Sequence, residues 1–305
     1  MPDMRPVPEP RPEIGRAPRD LPFTLDIRRV HLAVGWVAFG LPLSLLALGL
    51  LPQVCFYTSI SHFYFSPVGG DLFVGMLSFI GLLLLCLYSF DMTGRDGTLG
   101  WHWYDVALIR VAGIAALLVA FVPTRGSGCA FGGGAVPRAF VGGAEGSEDF
   151  PAPASPPDTV AGAPSFDFWG QLLGLERTRE PGVLDAVHYA AAGVMFLILA
   201  YVVLWVFTRV NSDTALRAGN RKDLRNRCYA VLGRMILASV AVLAVKSGLG
   251  ALLPDGAGDG FLSVWNGFRL TFVFEALGLF AFGLAWMIKG RFLRFFEDAH
   301  HPRAA

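Results

Sequence analysis

Charged side chains are scarce in this chain of 305 residues. Asp, Glu, Lys and Arg make up 16% of the sequence, whereas 54% of the residues are hydrophobic. An average water-soluble domain carries about 25% charged residues, so this composition argues against a soluble globular protein. The formal net charge of +1 also gives no electrostatic reason to expect a nucleic-acid partner.

Cysteine is also rare, with four residues in the whole chain. None of them forms a C-x-x-C pair or a comparable metal-binding spacing. Dinucleotide-binding and phosphate-binding loop signatures are missing as well, which argues against nucleotide-driven pumping. The sequence therefore identifies no cofactor and no reaction by motif, and it leaves open whether the protein is an enzyme.

Long hydrophobic runs are what the sequence does have. Each run is about as long as the stretch needed to cross roughly 30 Å of hydrocarbon at roughly 1.5 Å per residue. We therefore predict an all-α, polytopic membrane protein with a six-helix transmembrane bundle. The six runs centre on Val30–Leu51, Leu72–Phe90, Val106–Thr124, Val183–Thr208, Cys228–Leu253 and Ser263–Ile288.

Lys and Arg are concentrated on one side of the predicted bundle. The connections Pro52–Gly70 and Pro254–Leu262 contain neither residue, whereas both tails and the segment between the fourth and fifth runs are rich in them. The positive-inside rule then places both termini in the cytoplasm. We predict a bacterial inner-membrane protein with a disordered tail over 1–29, a membrane domain over 30–290 that carries an external insert over 125–182, and a cytoplasmic tail over 291–305.

Two of the four cysteines, Cys55 and Cys129, fall in predicted external connections. The other two, Cys86 and Cys228, fall in predicted spans. Because disulfides form on the oxidising side of a membrane, we predict a Cys55–Cys129 disulfide that joins the first and second external connections.

Polar and ionisable residues within and beside the predicted spans gather near the external side. Such residues are costly in hydrocarbon, and they usually face a bundle interior or a water-filled cavity. We predict that the lipid bilayer surrounds an outward-facing polar pocket, which binds a small polar solute or a lipid headgroup. The candidate residues are Ser61, His62, Asp71, Asp185, His188, Lys246, Arg269 and Glu275.

Pairs within this group suggest specific chemistry. Asp185 and His188 are three residues apart and share a helix face. They suit a ligand pair or an acid–base pair, or simply a helix N-terminal carboxylate beside an interfacial histidine. We expect an ion pair between Lys246 and Glu275 unless the lysine extends outward to the membrane surface. Arg269, together with Lys246, favours an anionic ligand.

The segment Thr58–Asp71 (TSISHFYFSPVGGD) precedes the second run and is dense in hydroxyl and aromatic side chains. It predicts either a loop in the aromatic belt of the membrane or a non-helical stretch at the membrane edge. The second form requires protein or water around its backbone. In both cases Ser61 and His62 lie on the external side.

Five stretches of the sequence are distinctive in combination: SISHFYFSPVGGDLFVG (Ser59–Gly75), VAGIAALLVAFVPT (Val111–Thr124), LDAVHYAAAGVMF (Leu184–Phe196), RKDLRNRCYAVLG (Arg221–Gly233) and FEALGLFAFGLAWMIKG (Phe274–Gly290). In this order they resemble a family of bacterial six-helix integral membrane proteins. The resemblance covers nearly everything after the N-terminal tail except the external insert, and it implies no activity. It implies that the family-type positions are Ser59, Ser61, Asp71, His188, Glu275 and Lys289.

A more distant likeness concerns the alkaline ceramidase and progestin-receptor superfamily, whose members are seven-helix membrane hydrolases that use a zinc-bound water. This chain is similar in carrying Ser, His and Asp near one membrane face. It differs in having six runs and in lacking an H-x-x-x-H pair in the last one. The residues themselves predict no metal site; under this likeness, His62, Asp71 and His188 could supply three zinc ligands and leave a position open for water.

Three functions are therefore open from the sequence. The first is a binding or transport protein that uses the external pocket. The second is a zinc-dependent membrane hydrolase. The third is an accessory or structural subunit, in which the polar residues only join helices and other membrane subunits are the partners.

The predicted orientation can be tested by thiol labelling. Single cysteines introduced within 142–156 should react with a membrane-impermeant reagent added outside intact cells, because the charge asymmetry places that stretch outside. Cysteines introduced within 211–217 should react only after the membrane is opened. The reverse labelling pattern would show that the bundle has the opposite orientation.

Overall fold

The helices of this protein were located in a computed structural model that describes residues 26–51, 54, 56–88, 101–122, 124, 181–209, 221–252, 258–293 and 295. Every regular element in these ranges is helical. In chain order they are α1 (Ile27–Gly49), a 3-10 helix (Ser61–Phe65), α2 (Pro67–Cys86), α3 (Trp103–Phe121), α4 (Pro181–Tyr201), a π-helical turn (Val202–Val206), α5 (Arg221–Leu252), α6 (Asp259–Gly267) and α7 (Leu270–Lys289).

Six helices, α1 to α5 and α7, are long and apolar enough to cross a membrane. Their most apolar windows have mean hydropathies between 1.8 and 2.3. The protein is therefore an all-α integral membrane protein, as its hydrophobic runs predict. The predicted disulfide between Cys55 and Cys129, most of the external insert and most of both tails lie outside the described residues.

The sixth apolar run is interrupted, which the sequence does not predict. Instead of one helix over Ser263–Ile288, the chain forms α6 and then α7, with Arg269 between them. Arg269 has a φ of 51°, in the left-handed region, which costs a residue with a Cβ about 1–2 kcal/mol. Two bonds to the segment before the 3-10 helix hold this turn: Arg269 Nε donates to the carbonyl of Phe56 at 3.2 Å, and the N–H of Phe272 donates to the carbonyl of Thr58 at 2.9 Å.

The starts of the first three spans follow from capping residues. Asp26 caps α1 by accepting from the N–H of Arg28. Ser66 caps α2 by accepting from the N–H of Gly69, with a proline at the first helical position, where its missing N–H costs nothing. Asp105 forms a capping box with His102 at the start of α3.

The spans form a ring in which helices adjacent in the chain pack side by side, and α1 closes the ring against α7. Successive helices run in opposite directions, so α1 begins and α7 ends at the same end of the bundle. We call this the basic end, because Arg28, Arg209 and Lys289 lie there, and we call the other the opposite end. The ring interior is filled by large buried side chains: Leu41, Leu45, Ile80, Ile109, Leu199, Phe282 and Trp286.

Glycines set the close approach at two of the helix seams. A Cβ built on Gly113 would lie 2.7 Å from the carbonyl oxygen of Gly81, where α2 meets α3. A Cβ built on Gly283 would lie 2.8 Å from the carbonyl oxygen of Gly35, where α1 meets α7. Both distances are too short for a real carbon, so the helices touch backbone to backbone, as is common for small residues in membrane bundles.

The seam between α4 and α5 is closed at only one end. Near the basic end, a Cβ built on Gly233 would lie 2.4 Å from Leu204 Cγ. Toward the opposite end, Gly193 on α4 and Gly248 on α5 have no heavy atom within 4 Å of a Cβ built on them. Gly193 and Ala244 line a cavity that lies between the two helices at this level and leaves an opening in the side of the ring.

The glycine seams predict a clear stability difference among single Gly→Ala variants. Gly113→Ala and Gly283→Ala should each lower the free energy of unfolding by about 1–3 kcal/mol, because the new methyl group meets a rigid backbone. Gly75→Ala is the matched control, since a Cβ on this exposed helical glycine has no heavy atom within 4 Å. Denaturation of the purified variants in detergent measures the effect. Equal stability of all three variants would contradict the close-packed seams.

Candidate functional site

The stretch between α1 and α2 folds into the opposite end of the bundle. Its residues from Tyr57 to Tyr64 are all buried, although half of it is not helical and the rest is a short 3-10 helix. A non-helical backbone at membrane depth needs protein partners for its polar groups. Of the two predicted forms, the structure therefore has the protein-enclosed stretch and not an exposed aromatic loop.

The carboxylate of Glu275 on α7 holds this stretch in place. The N–H of Ile60 donates to Glu275 Oε2 at 2.6 Å, and the Ser59 hydroxyl lies 2.8 Å from both carboxylate oxygens. Ser59 Oγ in turn accepts from the N–H of Ser61 at 3.2 Å. One side chain of the last span thus satisfies the polar groups of a segment that lies more than 200 residues earlier in the chain.

His188 on α4 binds the same stretch from the other side. Its Nδ1 lies 2.7 Å from the carbonyl oxygen of Val122, and its Nε2 lies 3.0 Å from the hydroxyl of Ser61. A carbonyl oxygen can only accept a hydrogen bond, so Nδ1 carries the proton and donates. Nε2 is then the acceptor for the Ser61 hydroxyl. The buried imidazole orients the hydroxyl of Ser61. In this arrangement Nε2 can also accept a proton from that hydroxyl.

A cavity of about 470 Å³ lies directly beneath these residues. This volume falls in the usual range for small-molecule sites. The cavity is bounded by α4, α5 and α7, and its inner wall is formed by α1, α2 and α3. The polar side chains in its lining are Ser61, His188, Tyr189, Lys246, Ser247, Thr271 and Glu275.

Half of the residues predicted for the pocket line this cavity: Ser61, His188, Lys246 and Glu275. The other four lie outside its lining. Asp71 is exposed on the first turns of α2, and Asp185 is buried one turn before His188. His62 is buried with its Nδ1 3.3 Å from the hydroxyl of Thr58. Arg269 sits 4.6 Å from the ring centre of Phe56, whose carbonyl it binds.

Lys246 and Glu275 share a cavity without forming the expected ion pair in the described structure. The carboxylate is bonded by Ser59 and Ile60 instead. Since Arg269 faces Phe56 and not the cavity, the predicted preference for an anion loses one of its two supporting cations.

Zinc binding by His62, Asp71 and His188 has no support from the geometry. Within the described ranges, no group of three or more His, Cys, Asp or Glu side chains is arranged to hold a metal ion. Both ring nitrogens of His188 are instead hydrogen-bonded, one to the carbonyl of Val122 and the other to the hydroxyl of Ser61.

Five contributors to the site are not in the predicted set: Ser59, the carbonyl of Val122, and the lining side chains of Tyr189, Ser247 and Thr271. Ser59 was recognised only as a family-type position, although it is the hydroxyl partner of the Glu275 carboxylate. The carbonyl of Val122 was not predicted, because an apolar sequence does not show at which residue the helix ends and which carbonyl then lacks a partner within the helix. The dense hydroxyls of the TSIS stretch were the available signal for Ser59.

Comparison with known proteins adds no relative. No family model, no curated protein and no solved structure matches this chain. The resemblance to a family of bacterial six-helix membrane proteins therefore stays a prediction.

The bonding around Glu275 predicts a specific pattern of energetic coupling. Ser59→Ala and Glu275→Gln should each destabilise the protein by about 1–3 kcal/mol: the first removes the hydroxyl partner of a buried carboxylate, and the second replaces a charged acceptor, whose hydrogen bonds are stronger, with a neutral one. The double variant should lose less than the sum of the two single losses. Unfolding in detergent, followed by circular dichroism, gives the three free energies.

Lys246→Met supplies the comparison. Combined with Glu275→Gln, it should show weaker coupling than the Ser59 pair does, since Lys246 and Glu275 share the cavity but make no direct ion pair in the described structure. Strong coupling between Lys246 and Glu275, with none between Ser59 and Glu275, would contradict the described contacts.

Proposed function

We propose that this membrane protein binds an amphiphile, a molecule with a small hydrogen-bonding head and an apolar tail, in the cavity between α4, α5 and α7. One observation carries the proposal. The cavity is polar toward the opposite end of the bundle and apolar toward its middle, which matches such a molecule lying along the bundle axis.

The polarity gradient follows from the direction of the three bounding helices. His188 on α4 and Thr271 on α7 line the cavity near the opposite end. Eight residues further along each helix, Phe196 and Leu279 line it about 12 Å deeper, at roughly 1.5 Å per residue. The deeper walls are completed by Leu41, Leu77, Met195, Val240 and Leu243. A purely polar solute would leave these walls without partners.

The cavity opens on the side of the ring and not at its end. Its exposed lining residues, Tyr189, Ala190, Ala244 and Ser247, all lie on α4 and α5. The cavity lies between these two helices around Gly193. A mouth in this position faces the hydrocarbon, so it favours a ligand that arrives from within a bilayer leaflet. With both termini in the cytoplasm, that leaflet is the outer one.

The chemistry of the polar end favours a neutral or zwitterionic head. One cation, Lys246, and one carboxylate, Glu275, line the cavity together. The hydroxyls of Ser61, Ser247 and Thr271 add hydrogen-bonding groups to this lining. This narrows the sequence-based prediction of a small polar solute or a lipid headgroup to an amphiphile that carries hydroxyl or amide groups.

The accessory-subunit function is less well supported. It treats the buried polar residues only as connections between helices. Glu275 does make such a connection, through Ser59 and Ile60. However, Lys246, Ser247 and Thr271 line an open space as well, which a purely structural role does not require.

A photoactivatable monoacylglycerol with a diazirine in its acyl chain tests the proposal. The purified protein in nanodiscs should be labelled within the cavity, and unlabelled monoacylglycerol should compete. Gly193→Phe should reduce the labelling severalfold, because the new ring occupies the open space beside Gly193 on the cavity wall. Mass spectrometry of digested protein locates the label.

Gly75→Phe is the matched control. Gly75 also has no heavy atom within 4 Å of a built Cβ, but it does not line the cavity. It should leave the labelling unchanged. Labels spread over the outer helix surfaces, or equal labelling of both variants, would contradict the proposed site.

A further inference from the structure

A serine and a histidine at the polar end of the cavity between α4, α5 and α7 form a pair suited to more than binding. The hydroxyl of Ser61 donates to His188 Nε2 at 3.0 Å, and His188 Nδ1 donates to the carbonyl of Val122 at 2.7 Å. A serine hydroxyl bonded to a neutral imidazole nitrogen is an activated nucleophile when a third group orients the imidazole. Here a backbone carbonyl takes the place that a carboxylate has in the serine–histidine–aspartate triad.

Both members of this pair are held in place by the fold. Ser61 begins the 3-10 helix, and its N–H donates to Ser59 Oγ, whose hydroxyl is bonded to the Glu275 carboxylate. His188 lies on α4 and is 2% exposed. A base already within hydrogen-bond reach of its nucleophile needs little rearrangement before it accepts the proton. Glu275 is therefore a positioning residue for the pair, since it acts on Ser61 through Ser59.

The position of Ser61 in the cavity matches the position of an ester bond in an amphiphile. Ser61 and His188 line the polar end, whereas Phe196 and Leu279 line the apolar part. In an acylglycerol, the ester joins the polar head to the acyl tail. A molecule with its head at the polar end and its tail against the apolar walls therefore presents its ester carbonyl beside the Ser61 hydroxyl.

Two further lining side chains are suited to stabilise the negative charge that develops on the carbonyl oxygen during attack. Thr271 Oγ1 accepts from the indole N–H of Trp265 at 2.8 Å, so the Thr271 hydroxyl keeps its own proton for donation. Lys246 brings a positive charge into the same lining. A donor or a cation beside a developing oxyanion lowers the barrier to acyl transfer.

A structural role alone explains less of this arrangement. The bond between Ser61 and His188 does join the 3-10 helix to α4. Such a connection does not require both side chains to line a cavity of about 470 Å³, and it does not require Thr271 and Lys246 in the same lining.

We infer that this protein hydrolyses the carboxylic ester of an amphiphile in this cavity, with Ser61 as the nucleophile and His188 as the general base. The inference rests on the proposed function, because the substrate is the amphiphile that the cavity binds. In the first step, Ser61 Oγ forms a bond to the ester carbonyl carbon while its proton passes to His188 Nε2. The electron pair of the carbonyl double bond moves onto the carbonyl oxygen.

The remaining steps return the pair to its starting state. The bond between the carbonyl carbon and the alcohol oxygen breaks, and the alcohol leaves with the proton from His188. The acyl group stays on Ser61. Water then attacks the acyl carbon and gives a proton to His188, and the bond to Ser61 Oγ breaks as the serine takes that proton back. The net reaction consumes one water and yields a fatty acid and an alcohol.

A long-chain alkyl fluorophosphonate tests the nucleophile directly, because it forms a covalent bond to an activated serine and releases fluoride. With the full-length protein in nanodiscs, mass spectrometry of the digested protein should find the adduct on Ser61. Protein unfolded before the probe is added should not react, since activation requires His188 beside the hydroxyl. No adduct, or adducts spread over other serines, would overturn the inference.

Release of fatty acid from monoacylglycerol measures the reaction itself. Ser61→Ala should lower the rate by roughly a thousandfold or more, and His188→Asn by about 10²–10⁴-fold. Ser44→Ala is the matched control, because the Ser44 hydroxyl bonds the carbonyl of Leu41 and Ser44 does not line the cavity. It should leave both rate and adduct unchanged, and an equal loss in this variant would contradict the assignment. The adduct on the unaltered protein still tests the inference if the other variants do not fold.

The photoactivatable monoacylglycerol separates a failure of this inference from a failure of the proposed function. Label within the cavity, with neither adduct nor fatty acid, would show that the protein binds the amphiphile without cleaving it, and only the catalytic inference would be overturned. Label that misses the cavity, with no adduct on Ser61, would overturn both.

Discussion

The need to satisfy a buried backbone that is not part of a regular α-helix shapes this protein. Hydrocarbon supplies no hydrogen bonds, so every exposed N–H and C=O must find a partner within the chain. The stretch before α2 meets this need with Glu275 for Ile60 and with α7 backbone for Thr58. The carbonyl of Val122, beyond the end of α3, is satisfied by His188. Glu275 and His188, whose side chains bond these backbone groups, also line the polar end of the cavity.

The cavity is a consequence of unequal packing around the ring. Glycine pairs bring α2 to α3 and α1 to α7 at backbone contact, whereas α4 and α5 meet closely only near Leu204 and Gly233. Gly193 shows the difference well, since the same residue type here borders open space. The bundle thus has two seams in backbone contact and an opening between α4 and α5, and the polar stretch lines that opening near the opposite end.

Apolar run length predicted the six spans, because crossing hydrocarbon is a local requirement that each segment must meet alone. The break at Arg269 was not predictable in this way, since the apolar composition continues through it and the turn depends on the distant carbonyl of Phe56. Asp105 escaped notice for a related reason: an acid in a first helical turn looks like an ordinary cap, and only folding shows it buried against Arg209. The sequence identified candidate site residues, such as Glu275, whose charge is unusual within an apolar run. It did not identify their hydrogen-bonding partners, because those partners lie far away in the chain.

The bond between Ser59 and Glu275 has a consequence for biosynthesis. The chain is made from its N-terminus, so the stretch before α2 reaches the membrane long before the last span exists. Until α7 arrives, the N–H of Ile60 and the hydroxyl of Ser59 lack their carboxylate, and α1 lacks the helix that closes the ring. The contacts that bury the polar stretch therefore cannot form among the early spans alone. The buried position of this stretch depends on the last helix to be synthesised, because α7 supplies the partners of Ser59, Ile60 and Thr58.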